Sequence, residues 1–439
     1  MTWRSAVLPG TYSIEVTGTS WASGNQTYND LRQENVVVPD TTESKILIIR
    51  AGGTTGSQVY EPVNNKLRPG PTVTGTPNNG AHAFFVNSGP FAGKYILVRG
   101  GNNTTRVFNP IDNSTSLAGP NLSANSGAGA NSFAISSGAQ SGKTLVVHGG
   151  GVNTTSLYDP AGHSFAAGPA LSGLAGAGSH SFAITTGLQA GKVMVVHGNG
   201  LTTTSLYDPA TNTFAAGPAL PAVANTGAFG TAITTGIHAG KAMSVLGAGG
   251  SNTALYDPSL NTFAAGPALS SNAGAGALAF AITSGSNSDK ALVIHGNASN
   301  TTSLFDATTG LFAAGPGLTA NAGAGANSFA IGSGSQSGKQ FVVLGNSTAA
   351  TALFDPSTST FSAGTALGGN VGAGGYNIVI SAVSAGRLPL VRSLTGQDLK
   401  VVLSWGSGDP LDLDLHTVGT LPSGQTLTNV NGDDCGTGN

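Results

Sequence analysis

The chain has 439 residues, with 17 Lys and Arg against 19 Asp and Glu, and only 8% of positions charged. So few basic groups leave no electrostatic footprint for nucleic acid, while 39% hydrophobic residues are too many for a disordered chain. Its 67 glycines and 21 prolines lack the three-residue period of collagen, and no run of apolar residues is long enough to span a membrane.

Residues 1–44 open the chain with LPGTYSIEVTG (Leu8–Gly18), a turn feeding an alternating strand, and ENVVVP (Glu34–Pro39), a second strand candidate. The first residues lack the charged start and apolar stretch of a signal peptide. Low charge with abundant Gly, Ser, Thr, Ala and Asn nevertheless suits an extracellular or cell-surface protein, and the chain is expected to be part of a longer exported one. The single cysteine, Cys435, supports neither a disulfide framework nor a cysteine-type zinc site.

From Lys45 onward the chain repeats. Lys45, Lys94, Lys143, Lys192, Lys241, Lys290 and Lys339 are each 49 residues apart, as are Phe165, Phe214, Phe263, Phe312 and Phe361. Each unit offers four short strands and no helix; in the third they are Ser132–Ser136, Thr144–His148, Thr155–Asp159 and Ser164–Gly168. Asp159-Pro160-Ala161-Gly162 is a turn, in which Asp accepts bonds from the following backbone and Pro presets φ. Asp-Pro recurs at Asp208, Asp257 and Asp355, whereas Glu61 and Asn109 take the Asp place in the first two units. Four strands per unit and seven units predict an all-β fold, a seven-bladed β-propeller of four-stranded antiparallel blades.

The pieces Val146-Val147-His148-Gly149-Gly150, Tyr158-Asp159-Pro160 and Phe165 resemble the kelch repeat, over about Lys45 to Val391. Two departures are plain: Phe stands where kelch units usually carry Trp, and Asn199, Ala248, Asn297 and Asn346 replace the second Gly. Phase also predicts how the ring closes. Inner strands carry Phe84, Phe133, Phe182, Phe280 and Phe329, with Thr231 the exception. One period after Phe329 lies Ile378, so Tyr376–Ile380 is expected to supply the inner strand that the first unit lacks. Closure of this kind removes sheet edges that would invite aggregation. The expected domains are 1–44, resembling the end of an immunoglobulin-like β-sandwich module of bacterial surface proteins, then the propeller at 45–391. Residues 392–439 would be the start of a small β-rich domain of the kind found in large secreted bacterial proteins.

In that tail Asp412, Asp414 and His416 alternate, so on a strand they share one face. Oxygen ligands beside an imidazole point to a divalent cation such as calcium, with Asp433 and Asp434 as further ligands; no other cofactor is expected. A second set precedes the glycine pair of the units: Arg50, Arg99, His148, His197 and His295, with Leu246 and Leu344 in the remaining two. Around the mouth of a propeller these groups would attract an anionic sugar or carboxylate, more strongly at low pH. The repeated lysines read as solvated turn residues.

Catalytic motifs are missing, since no Gly-x-Ser-x-Gly, His-Glu-x-x-His or phosphate loop occurs. The kelch resemblance brings to mind a copper-radical oxidase, which needs a cysteine crosslinked to a tyrosine, but Cys435 lies outside the ring. A sialidase would need acids and arginines converging on the axis. Near-uniform units also argue against catalysis, which draws different groups from different blades. The sequence therefore leads to a non-enzymatic recognition or adhesion module, partnered by a glycan or surface protein and not by nucleic acid, with no membrane span. The alternative is a structural spacer that assembles with copies of itself, and a carbohydrate-active enzyme is a minor third reading.

Overall fold

β-Branched and aromatic residues alternate with small ones in runs of four or five, and Gly, Asn or Asp-Pro ends each run, so every unit folds into a four-stranded antiparallel meander. The fold is that of a computed structural model describing residues 44–380 together with the strands Gly10–Thr19, Arg32–Val38, Asp398–Leu403, Gly419–Thr420 and Thr426–Leu427. The chain divides into two units, Ser44–Ile380 on the one hand and Met1–Glu43 with Ser381–Asn439 on the other. In the second, Gly10–Thr19 pairs antiparallel with both Arg32–Val38 and Asp398–Leu403, and Gly419–Thr420 pairs with Thr426–Leu427.

The first unit is a ring of seven blades. Blades 2 to 7 begin with the inner strands His82–Phe85, Asn131–Ala134, His180–Ala183, Phe229–Ala232, Leu278–Ala281 and Asn327–Ala330, and each adds its next three strands outward in chain order. Blade 1 takes Lys45–Ile49, Ser57–Glu61 and Lys66–Pro69 from the start of the ring and its inner strand, Tyr376–Ile380, from the end. Leu47 faces Ile378 across that closing pair. The seam therefore joins residues about 330 apart in sequence through ordinary ladder bonds, as the repeat phase predicted. Across the described residues the only helix is a single 3-10 turn, Gly236–His238.

The core lies between blades. The inner-strand Phe of one blade meets the third-strand aromatic of the next: Phe84 with Tyr158, Phe133 with Tyr207, Phe182 with Tyr256, Phe280 with Phe354 and Phe329 with Tyr60, at 5.3–5.7 Å between ring centroids. That aromatic also packs on the outer-strand Phe of its own blade, as Tyr158 does on Phe165 at 5.1 Å. Burying such a ring contributes about 1.5–3 kcal/mol, and a tilted aromatic pair about 0.5–1.5 kcal/mol more. Blade 5, with exposed Thr231 in the Phe place, lacks this wedge.

Two rings of turns hold the blades together. On the upper face, which bears the links between blades, a positive-φ glycine of each turn lies against a backbone carbonyl of the next blade. Gly80 abuts Gly127, Gly129 abuts Gly176, Gly178 abuts Asn225, and so on round to Gly374 against Asn78. The NAGAGA loops thus form a close backbone annulus about the axis, which any Cβ at those glycines would break. On the lower face each third-strand Asp divides its two oxygens. Asp208 Oδ1 accepts from Ala210 N at 2.9 Å and caps the turn, while Oδ2 pairs with Lys192 at 3.0 Å. The same ion pair forms in blades 1 and 3–7, so the repeated lysines are partners of the turn carboxylates rather than free solvated groups.

Candidate functional site

His148, at the end of the second strand of blade 3, has 0% of its surface exposed, as do His197 and His295. His148 Nδ1 meets Thr154 Oγ1 at 2.8 Å and Nε2 meets Ser156 Oγ at 2.7 Å; His197 and His295 repeat both contacts with Thr203 and Ser205, and with Thr301 and Ser303. The serine in turn receives the preceding blade-to-blade link, Ser123 N donating to Ser156 Oγ at 2.9 Å. Burial pushes His148 and His197 down to about 4 and lowers His295 in the same direction. These imidazoles are neutral at pH 7, with both nitrogens engaged, and offer an anion neither charge nor an open donor. Blade 5 replaces the whole cluster at once: Leu246 for His, Asn252 for Thr, Ala254 for the serine bonded to Nε2, and Pro221 for the linking serine. Removing the bonding groups together leaves none stranded, and Pro has no N–H to satisfy.

Blades 1 and 2 depart from this frame. Arg50 takes the His place in blade 1, with Gly56 in place of Thr, and its guanidinium lies between Gly56 and Gly369, where a Cβ on either would collide with it. In blade 2 the set becomes Arg99, Thr104 and Arg106. Arg99 Nη1 donates to Thr104 Oγ1 at 2.8 Å, and Arg106 Nε donates to Thr74 O at 3.1 Å. The Nε atoms of Arg50 and Arg99 are both buried without a hydrogen-bond partner. Burial first, and then the charge of Arg106, lower the Arg99 pKa. No acid relieves this crowding. Every carboxylate from Ser44 to Ile380 sits on the lower face, in or beside the third-to-outer turns or, for Asp289, in a first-to-second turn. The upper half of blades 1 and 2 therefore concentrates cationic groups on a face that carries no negative side chain among the described residues.

A second upper layer escaped the sequence reading. The first residues of the inner strands, also 49 apart, are His82, Asn131, His180, Phe229, Leu278, Asn327 and Tyr376. The signal was present as the one inner-strand position whose chemical class changes from unit to unit, whereas attention to shared residues selects the frame. The polar members turn back on their own turn: His82 Nδ1 to Gly80 O at 2.9 Å, Asn131 Nδ2 to Gly129 O at 3.0 Å, and His180 Nδ1 to Gly178 O at 3.0 Å. A carbonyl only accepts, so both imidazoles carry the proton on Nδ1 and present Nε2 as an acceptor. His180 Nε2 meets Ser244 Oγ at 3.2 Å, over Gly230, where a side chain would crowd it. For His82 the repeat puts Val146 in the place of Ser244, and its buried Nε2 has no partner; Asn131 Oδ1 is likewise buried and unpaired. Different blades thus contribute different groups to the axis. Asp412, Asp414 and His416, with Asp433, Asp434 and Cys435, lie outside the described residues.

No known family profile matches the chain, and no curated protein matches it. Among solved structures it is similar to a fungal alcohol oxidase of the AA5 family, described as novel and solved in complex with copper, with 16% identity and a TM-score of 0.50 over 70% of this chain and 69% of that one. Likeness at that identity is likeness of fold. It nonetheless corrects two expectations. The expectation of a non-enzymatic recognition, adhesion or spacer module is contradicted by this finding, since the protein matched is an alcohol oxidase. The expectation of no cofactor beyond calcium in the tail is contradicted as well, since the matched protein was solved in complex with copper. Within this ring, among the described residues, no three of His, Cys, Asp and Glu lie close enough to share a metal ion.

Proposed function

We propose that the ring is a carbohydrate-active enzyme that takes an anionic sugar on its upper face at blades 1 and 2. Arg50 and Arg99 would hold the carboxylate or sulfate, since a guanidinium offers parallel donors to either. The observation carrying this reading is a pair of half-buried guanidinium groups on adjacent blades, each with an unpartnered Nε, on a face without carboxylates among the described residues. A cleft of one sign raises the local concentration of an oppositely charged substrate. Tyr376 and His82 begin the inner strands of the same two blades, which puts a phenol and an imidazole on the axial side of the arginines. An acidic polysaccharide is an extracellular substrate, in keeping with the low-charge, Gly- and Ser-rich composition. The kelch-type assignment of the repeat, resting on Gly149-Gly150 and Tyr158-Asp159-Pro160, belongs to the same reading.

The test is turnover of uronate-rich, sulfated and neutral polysaccharides by the full chain, read as new chain ends. Cleavage of the acidic polymers alone is expected, falling at least tenfold in Arg50→Ala and in Arg99→Ala while the melting temperature holds. Equal turnover of neutral polymers, or turnover of none, ends the proposal.

A further inference from the structure

The lower face carries one lysine whose partner has been exchanged. In blades 1 and 3–7 the lysine at the start of the second strand pairs with a carboxylate ending the third, at 2.9–3.5 Å. In blade 2 that carboxylate is replaced by Asn109, whose Oδ1 still caps its turn by accepting from Ile111 N at 3.2 Å. Lys94 pairs with no carboxylate among the described residues and instead lies 4.8 Å above the ring of Phe91. Phe91 stacks on His163 of blade 3, with centroids 3.6 Å apart and planes within 17°. His163 stands at φ 45° where Asn212 and Asn261 cap the tyrosine hydroxyls of the following blades. Its Nδ1 lies 2.8 Å from Tyr158 Oη, and with the hydroxyl donating as it does to those asparagines, Nε2 carries the proton.

Tyr158 also lines a cavity of about 320 Å³ at this seam, walled by Phe85, Val86, Ala134 and Ile135 with Asn87, Ser136 and Ser141 at its polar side. That volume is at the lower end of small-molecule sites. Burial, then the charge of Lys94, lower the His163 pKa, which places the ammonium within electrostatic reach of the imidazole.

We propose that this seam binds a small carboxylate with an apolar body. The ligand carboxylate takes the role that Asp or Glu plays toward lysine in the other six blades, and the apolar body enters the cavity between blades 2 and 3. Lys94 supplies the charge and His163 Nε2 a second donor. This site is on the opposite face from Arg50 and Arg99 and does not rest on the function proposed for them.

Calorimetric titration of the full chain with benzoate, against benzamide as the neutral control, tests it. Saturable binding of benzoate at least tenfold tighter than benzamide is expected. Asn109→Asp, which restores the carboxylate present in the other blades and so suits the fold, should weaken benzoate at least tenfold, as should Lys94→Met. The Arg50→Ala/Arg99→Ala double variant should leave the titration unchanged. The proposal is overturned by benzoate binding that survives both Asn109→Asp and Lys94→Met, by equal binding of benzamide, by loss of binding in the double arginine variant, or by no binding at all.

Discussion

Blades 3 to 7 and blades 1 and 2 are built on one plan and differ in what the plan leaves over. In the first group the charged and aromatic polar groups of the frame find partners within their own repeat, His with Thr and Ser, Lys with Asp, Tyr with Asn, and only the amide oxygens of Asn131, Gln140 and Gln336 are buried without one among the described residues. In the second, Arg50 and Arg99 are left with buried Nε atoms, His82 with a free Nε2, and Lys94 without its carboxylate. Repetition builds the ring; departure from repetition leaves unsatisfied chemistry, and an unsatisfied buried group is costly unless something else rewards it. Both sites proposed above lie where the copies diverge.

The largest effect expected from this contrast is on acid stability. His148, His197 and His180 sit at about 4 in the fold against about 6.5 unfolded. Stability from them is complete above the unfolded value and is lost as pH falls from about 6.5 towards 4, because the unfolded chain takes up protons that the folded one refuses. Each contributes on the order of 3 kcal/mol, so together they approach the whole stability of a domain. Thermal melts from pH 7 to pH 4 should show a steep fall over that window, and a flat profile would break the account of the histidine frame.

Next comes the annulus, which the divergent blades share with the others. Gly178→Ala in blade 4 would drive a Cβ into the Asn225 carbonyl, and Gly80→Ala in blade 2 into that of Gly127. Each should cost about 3–5 kcal/mol, from overpacking plus a disfavoured positive φ. Gly191→Ala, with a similar φ of 84° but no atom within 4 Å of the added carbon, should cost only about 1 kcal/mol. If Gly80→Ala melts like Gly191→Ala while Gly178→Ala collapses, the divergence of blade 2 extends into the frame itself.

A smaller effect separates the replacement of one group from the replacement of a set. His148→Leu alone strands Thr154 and Ser156 and should cost about 2 kcal/mol. Adding Thr154→Asn, Ser156→Ala and Ser123→Pro reproduces blade 5, with its Leu246, Asn252, Ala254 and Pro221, and should recover most of that loss in denaturant melts.

These same positions show what the sequence made legible. The period fixed blade number and strand order, and phase alone placed Ile378 opposite the first unit, because a strand's register follows from its pattern. What a repeat conceals is environment. A histidine before a glycine pair reads identically at an open mouth or in a sealed pocket, and only the covarying Thr and Ser, six and eight residues on, distinguish the two. The axial layer was hidden for the opposite reason, since it has no shared residue to catch the eye. The lysine pairing was within reach: Lys and its carboxylate, Glu61 in blade 1 and Asp in blades 3–7, keep a fixed spacing in every unit where the pair forms, and Asn109 was visible as the exception.

That pairing gives the smallest expected effect. Lys192 and Asp208 meet at 3.0 Å with 29% of each side chain exposed, so solvent screens them and the pair contributes about 0.2–1 kcal/mol. A double-mutant cycle with Lys192→Met and Asp208→Asn should return a coupling energy in that range, shrinking as salt rises. Asn is the informative partner because blade 2 already carries it, keeping the turn cap while giving up the charge. A coupling well above 1 kcal/mol would mean that the lysine frame of the other blades is structural in a way that blade 2 could not have relinquished cheaply, and the separation of Lys94 from its carboxylate would then demand a larger compensation than a weak ligand supplies.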